Sequence, residues 1–127
     1  MIKLNLNIWG RKRELEVVYD CYQGEEVLES QREALREFLK RTNALFPEVE
    51  EKLKAYCLDR DGNRIGADSI ENIFKYVVPK WLFIKRKTDG TRVVALMCLY
   101  RFDEENGVAA VFTNETLTEV GPQNIIL

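Results

Sequence analysis

The chain has 127 residues, 46 % of them apolar and 31 % charged, which fits one globular domain (1–127) and argues against disorder. Nineteen basic residues against 21 acidic ones leave a net charge of −2, without the surplus of Lys and Arg that a nucleic-acid surface requires, so no nucleic-acid partner is expected. A chain of this size buries about two thirds of its unfolded surface and needs neither metal nor disulfide to fold.

Residues 1–10, MIKLNLNIWG, alternate: Ile2, Leu4, Leu6 and Ile8 share one strand face, with Lys3, Asn5, Asn7 and Trp9 on the other. This is not the continuous apolar run of a secretory leader, so none is expected. No stretch approaches the ~20 apolar residues of a membrane span, and no membrane partner is expected. Gly10-Arg11-Lys12-Arg13 reads as a polar break. A second strand follows, with Leu15, Val17, Tyr19 and Cys21 on one face, and the pair is predicted to form a hairpin.

After Gly24 the apolar period lengthens from 2 to about 3.6. Leu28, Leu35, Phe38, Leu39 and Thr42 line one helical stripe, and Ser30-Gln31-Arg32-Glu33 has the form of a capping box, with a helix start one turn earlier as the alternative. The acidic and basic residues between 29 and 41 alternate at spacings of three or four, as on a solvated helix face. Pro47 is predicted as the first residue of a second helix that buries Phe46, Val49, Leu53, Tyr56 and Cys57. Residues 59–66, DRDGNRIG, then form a polar connection. A short third helix is expected over Ser69 to Val77, stopped by Pro79.

The remainder reads as a meander. Strands are predicted over Trp81–Lys87, Arg92–Phe102, Val108–Thr113 and Thr116–Val120, with turns at Asp89-Gly90, Asn106-Gly107 and Asn114-Glu115. The last residues, GPQNIIL, are apolar enough to pack. The expected fold is therefore α+β: a mainly antiparallel sheet of about six strands, an N-terminal hairpin, two longer helices and one short one, then a C-terminal meander. The strand over 92–102 is apolar on both faces, as are 81–84 and 108–112, where a half-exposed antiparallel sheet would alternate. Both sheet faces must be covered. Helices account for one; the hairpin, a curled sheet or a second subunit are the choices for the other.

The search for chemistry is mostly a list of exclusions. The chain has no histidine, which removes Ser-His-Asp and Cys-His arrangements, His-ligated zinc and a histidine general base. Cys21, Cys57 and Cys98 lie far apart in apolar stretches and read as free thiols in a reducing cytoplasm. Phosphate-binding glycine loops are missing. Asn114-Glu115-Thr116 is a glycosylation sequon, without chemical meaning in a cytoplasmic protein. Lys80 and Lys85-Arg86-Lys87 flank the aromatic run Trp81-Leu82-Phe83, a pattern that an apolar strand with a charged tip explains without a ligand.

Two acidic segments stand out. Asp59, Asp61 and Asn63 fit the first three ligand positions of a calcium loop. The sixth position, which needs Gly, is Arg64, and the twelfth, which needs a bidentate Glu, is Ile70. These three are weak metal candidates in what reads as a turn. Asp103-Glu104-Glu105 sits beside the Asn106-Gly107 turn, where paired acids lack the burial that would separate their pKa values for acid–base work. No metal or other cofactor is expected.

The stretches ELEVVYDCYQGEEVL, IENIFKYVVPKWLFI and YRFDEENGVAAVFTNETLTEVGPQNIIL resemble an uncharacterised family of small bacterial domains of unknown function. Related small α+β domains include immunity proteins that neutralise the toxins of rival bacteria, and this chain is similar to them in size and charge. Similar domains often carry His where this chain has Asn106, and the resemblance implies no catalytic residue. The expected function is a non-enzymatic cytoplasmic protein-interaction module, immunity-like in its most specific form. Its partner is another protein, with Trp9, Asp103, Glu104, Glu105 and Asn106 as candidate contact residues. The alternatives are a carboxylate- or metal-dependent enzyme drawing on Asp59, Asp61, Asp103 and Glu105, and a self-associating structural protein, in its simplest form a homodimer.

Overall fold

The computed structural model describes residues 2–127. Six strands form one sheet in sequence order: β1 (Ile2–Ile8), β2 (Arg11–Tyr19), β3 (Val77–Ile84), β4 (Val93–Tyr100), β5 (Val108–Thr113) and β6 (Thr116–Gly121). All neighbours are antiparallel except β2 and β3, which run parallel. A parallel pair needs a long crossover, and two helices supply it: α1 (Glu29–Leu39) and α2 (Thr42–Ile65). The α+β architecture and the antiparallel C-terminal meander are as predicted.

The hairpin turn is tighter than expected. Trp9 and Gly10 alone form it, at φ 51° and 82°, with Ile8 opposite Arg11. That two-residue geometry matches strand twist and takes Trp9 off the polar strand face. β2 meets β3 only from Glu16 onwards. The near half of the hairpin is not paired with β3, and its tip reaches α2, where Trp9 Nε1 donates to the Phe46 carbonyl at 2.8 Å.

The helices begin earlier than their sequence signals. α1 is capped by Leu28, whose N–H is accepted by Gln31 Oε1 at 2.9 Å. Gln31 is 1 % exposed and its amide also donates to the carbonyls of Asp20 and Ile84, both at 3.1 Å. Gln31 thus both closes the cap of α1, with Leu28 rather than Ser30 as the cap residue, and anchors the helix on the ends of β2 and β3. α2 starts five residues before Pro47, which lies inside the helix. It extends through DRDGNRIG, so that segment is helix rather than connection. Asp61 alone departs from helical geometry there (φ −129°, ψ 28°), and Gly66 closes the helix in the left-handed conformation at φ 71°.

The expected third helix is reduced to a single 3-10 turn, Ile73–Lys75, and Val77 already belongs to β3. Pro79 does not stop a helix; it sits where the β3–β4 register shifts, a bulge being one of the few strand sites that tolerate a missing N–H. β3 accordingly starts four residues before its predicted position and ends before Lys85. β4 is shorter than predicted at both ends, and β6 gains Gly121.

Both faces of the sheet are covered, as its two-sided apolar pattern requires. On one side, residues such as Leu15, Leu82, Leu96 and Ala110 pack with Phe38, Phe46, Leu53 and Cys57 of the helices. On the other, Phe83, Ala95, Met97, Ala109 and Val111 form a smaller cluster under Trp81, Ile125 and Ile126. The cover there is the C-terminal segment itself, with a 3-10 turn at Gln123–Ile125. Gln123 Nε2 donates to the Cys98 carbonyl at 3.1 Å and its N–H to the Asn106 carbonyl at 2.9 Å, while Lys85 Nζ reaches Ile126 O at 3.3 Å.

Candidate functional site

The two acidic segments singled out in the sequence meet in space. Arg60, within DRDGNRIG, donates to Asp103 Oδ2 at 2.8 Å and to Tyr56 Oη at 3.1 Å. Asp103 also accepts from the N–H of Asn106 at 3.1 Å. The Tyr100 hydroxyl, at the end of β4, donates to Asp61, and Arg60 and Arg64 lie 3.8 and 3.9 Å from the same carboxylate. Departure from the helix at Asp61 coincides with its side chain turning inward to this cluster, where it is 10 % exposed. The aromatic rings of Tyr56, Tyr100, Phe102 and Tyr76 pack successively at 5.7–6.0 Å, with Arg60 and Arg64 over Tyr100 and Phe102.

Electrostatics follow from these contacts. The hydrogen bond from Arg60, with that from the Asn106 N–H, holds the Asp103 carboxyl below its usual range. Burial, then the hydrogen bond to Asp61, pushes the Tyr100 hydroxyl upward, so it remains a neutral donor. Burial raises the Cys57 thiol to about 11, and the fully enclosed Cys98 thiol is raised as well. These groups are locked, not poised: Asp103 holds its charge and the thiols hold their protons.

The other sequence candidates scatter. Asp59 and Asn63 are exposed on α2 and do not point to Asp61's partners. Among the described residues there is no group of three or more Cys, Asp and Glu side chains placed to hold a metal ion. Glu104, Glu105 and Asn106 are exposed at the turn that Arg60 ties to α2. Trp9 is spent on internal packing, with its ring 5.5 Å from Phe74 and its N–H on Phe46.

Beside the locked cluster lies an open groove of about 660 Å³, lined by Lys52, Ala55, Tyr56 and Asp59 of α2 and by Leu117, Thr118, Glu119 and Val120 of β6. The four α2 residues are spaced i, i+3, i+4, i+7, one stripe of the helix. β6 is the last strand of the sheet, so its outer row of backbone groups has no neighbouring strand. Successive strand side chains point to opposite faces, so four consecutive residues on one groove place it along the edge. Thr118 is the extra residue where the β5–β6 register shifts, and its hydroxyl donates to Val111 O at 3.2 Å. Lys52, Asp59 and Glu119 have no salt-bridge partner among the described residues, unlike Arg60, Asp61, Asp103 and the neighbouring Lys54–Glu50 pair.

The sequence reading missed this groove because its walls come from separate parts of the chain. The i, i+3, i+4, i+7 stripe was available as a signal, but nothing in the sequence says that β6 is an edge. Also missed was Glu115, left-handed at φ 63° and held by Arg92 at 2.8 and 3.0 Å.

Fold and groove define an α+β domain in which a helix borders the open edge of a mostly antiparallel sheet. The chain belongs to the family described as "Domain of unknown function (DUF6985)", which it matches over residues 2–127. Neither the curated proteins nor the solved structures contain a match. No helix among the described residues is long and apolar enough to cross a membrane.

Proposed function

We propose that this chain is a non-enzymatic protein-interaction domain. The observation that carries the reading is the contrast in how its charges are used. Asp61 and Asp103, two of the acids an enzyme would need, are consumed by Tyr100 and Arg60, whereas unpaired charges line the groove at the sheet edge. Charged groups left free beside unpaired backbone are suited to recognising another chain. Glu104, Glu105 and Asn106 extend the candidate surface, on a turn fixed to α2 by Arg60. Three free cysteines, two of them buried, support a reducing, cytoplasmic setting. Neutralisation of a toxin in a bacterial cell is the most specific form of the reading, supported by small size, modest acidity and the family resemblance.

Two measurements test it together. The intact protein, used as bait in its native host, is expected to yield a named protein that re-forms a stoichiometric complex from purified components. Thermal melting is expected to be unmoved by millimolar Ca²⁺ or Mg²⁺. A melting temperature that climbs with metal concentration would mean a filled metal site and would sink the reading in favour of a metal-dependent enzyme.

A further inference from the structure

We propose that the α2–β6 groove takes an extended peptide segment, which adds to β6 as a seventh strand and carries one acidic and one basic residue on the side facing α2. This deepens the interaction reading and rests on it.

The occupant follows from what the groove offers. Its floor is the outer edge of β6, where N–H and C=O groups repeat on either side of the extra residue Thr118. Beyond the bonds to β5, no backbone hydrogen bond reaches residues 116–121 from elsewhere among the described residues. Only another extended backbone presents donors and acceptors at that repeat. A helix, whose backbone groups are already used internally, does not.

The charges set polarity. Arg41, just before α2, lies 3.9 Å from Glu115, just before β6. Near the other end of α2, Arg60 bonds Asp103, in the turn whose Asn106 carbonyl accepts from Gln123, just past β6. Helix and strand therefore run alongside each other in the same direction. Lys52 consequently marks the Leu117 end of the groove and Asp59 the Val120 end, while Glu119, opposite Val111, points to the other face of the sheet. At 1.5 Å per residue, Lys52 and Asp59 are separated by about 10 Å along the helix. A strand advances about 13 Å over four residues, so an acidic and a basic side chain at i and i+4 reach both ends by leaning inward. An apolar residue at i+2 then meets Ala55 and Tyr56.

The opposite edge of the sheet does not offer this. β1 presents Lys3, Asn5 and Asn7, all exposed, and Lys3 is paired with Glu14 at 3.5 Å. Only the tip of its hairpin approaches α2, at Asn7, Trp9 and Gly10.

The test uses the full chain, ¹⁵N-labelled, and the synthetic peptide Thr-Val-Asp-Thr-Val-Thr-Lys-Val-Thr at millimolar concentration. Expected are amide shift changes confined to 117–120 and 52–59, with slowed exchange of outward-facing β6 amides. Versions carrying Lys or Asp at both charged positions are expected to bind about two- to fivefold more weakly, the range of an exposed ion pair. Of two versions N-methylated at alternate residues, the one blocking the paired edge is expected to lose binding. No shift change at millimolar peptide, or equal binding by both N-methylated forms, overturns the proposal. So does slowed β6 exchange that appears without peptide and grows with protein concentration, since the occupant would then be a second copy. None of these results touches the broader interaction reading, which falls only if no stoichiometric protein partner exists or if metal raises the melting temperature.

Discussion

Two patches on one helix behave in opposite ways. Toward the end of α2, Arg60, Asp61 and Arg64 are bonded to Tyr100 and Asp103 or packed on aromatic rings. A turn away, Lys52 and Asp59 border the groove beside β6 and have no ionic partner among the described residues. The helix supplies similar residues to both. What differs is the opposing surface: an aromatic strand end and a loop in one case, the outer edge of the last strand in the other. Charge is built into structure where a partner within the chain completes it, and stays unpaired where none does.

The locked patch should be sensitive to substitution and the groove tolerant, and the largest effect is expected at Gly107. Its φ is 57°, and a Cβ there would lie 2.5 Å from the Cys98 carbonyl oxygen and 2.7 Å from Gln123 Nε2. Gly107→Ala combines left-handed strain with overpacking and is expected to cost about 3 kcal/mol in urea unfolding. It also pushes away the segment that covers Met97 and Ala109. A cost below about 0.5 kcal/mol, the scale of an ordinary surface change, would show that this segment is not held where the structure places it.

Next is Tyr100→Phe, which removes the hydroxyl from Asp61 and leaves the ring. Loss of a hydrogen bond to a charged group predicts about 2 kcal/mol. Lys52→Ala and Glu119→Ala, measured in parallel, are expected within about 0.5 kcal/mol of the parent. Equal effects in both patches would erase the contrast.

Titration probes the locked patch more finely. Asp103 has a depressed folded-state pKa, so its contribution is present above the ordinary value of 3.8 and is lost as pH falls through and below it. Asp103→Asn should flatten the acid limb of a stability–pH curve. Cys57 is raised from 9.0 to about 11. Its protonated form stabilises the fold below pH 9, and that contribution declines as pH rises from 9 toward 11. Cys57→Ala should flatten that alkaline limb.

The smallest expected signal is kinetic. With Cys57 and Cys98 buried and Cys21 partly exposed, a thiol reagent at neutral pH should modify Cys21 first, by mass spectrometry of the native protein. Rapid modification of Cys57 would mean that the end of α2 opens readily, contrary to a locked patch.

Much of the fold was legible from local pattern. The alternation of Ile2 to Ile8, the helical stripe through Phe38, and the apolar runs of β4 and β5 each mark an element because side-chain burial imposes its period on the sequence. The same two-sided pattern in β4 required cover on both faces, although it could not say that Ile125 and Ile126 provide it. Errors fell where local chemistry was overridden. Pro47 and DRDGNRIG carry start and turn residues, yet the buried face from Leu45 to Cys57 carries α2 through Pro47, and the helix resumes past a kink at Asp61 within DRDGNRIG. The segment before Pro79 has helical spacing, but Val77 pairs with Tyr100 of β4, and ladder pairing prevails there.

For function the division is sharper. The sequence by itself determined what chemistry is absent, since a chain without histidine or a phosphate loop lacks those reactions whatever its shape. It also determined the number of strands and the need to bury both sides of the central ones. Tertiary structure alone decided which acids are spent and which are free, because pairing joins Arg60 to Asp103 across 43 residues of chain. It alone decided that β6 is an edge and that α2 borders it. Periodicity reports which face of an element is buried; it carries no record of which element lies next to it.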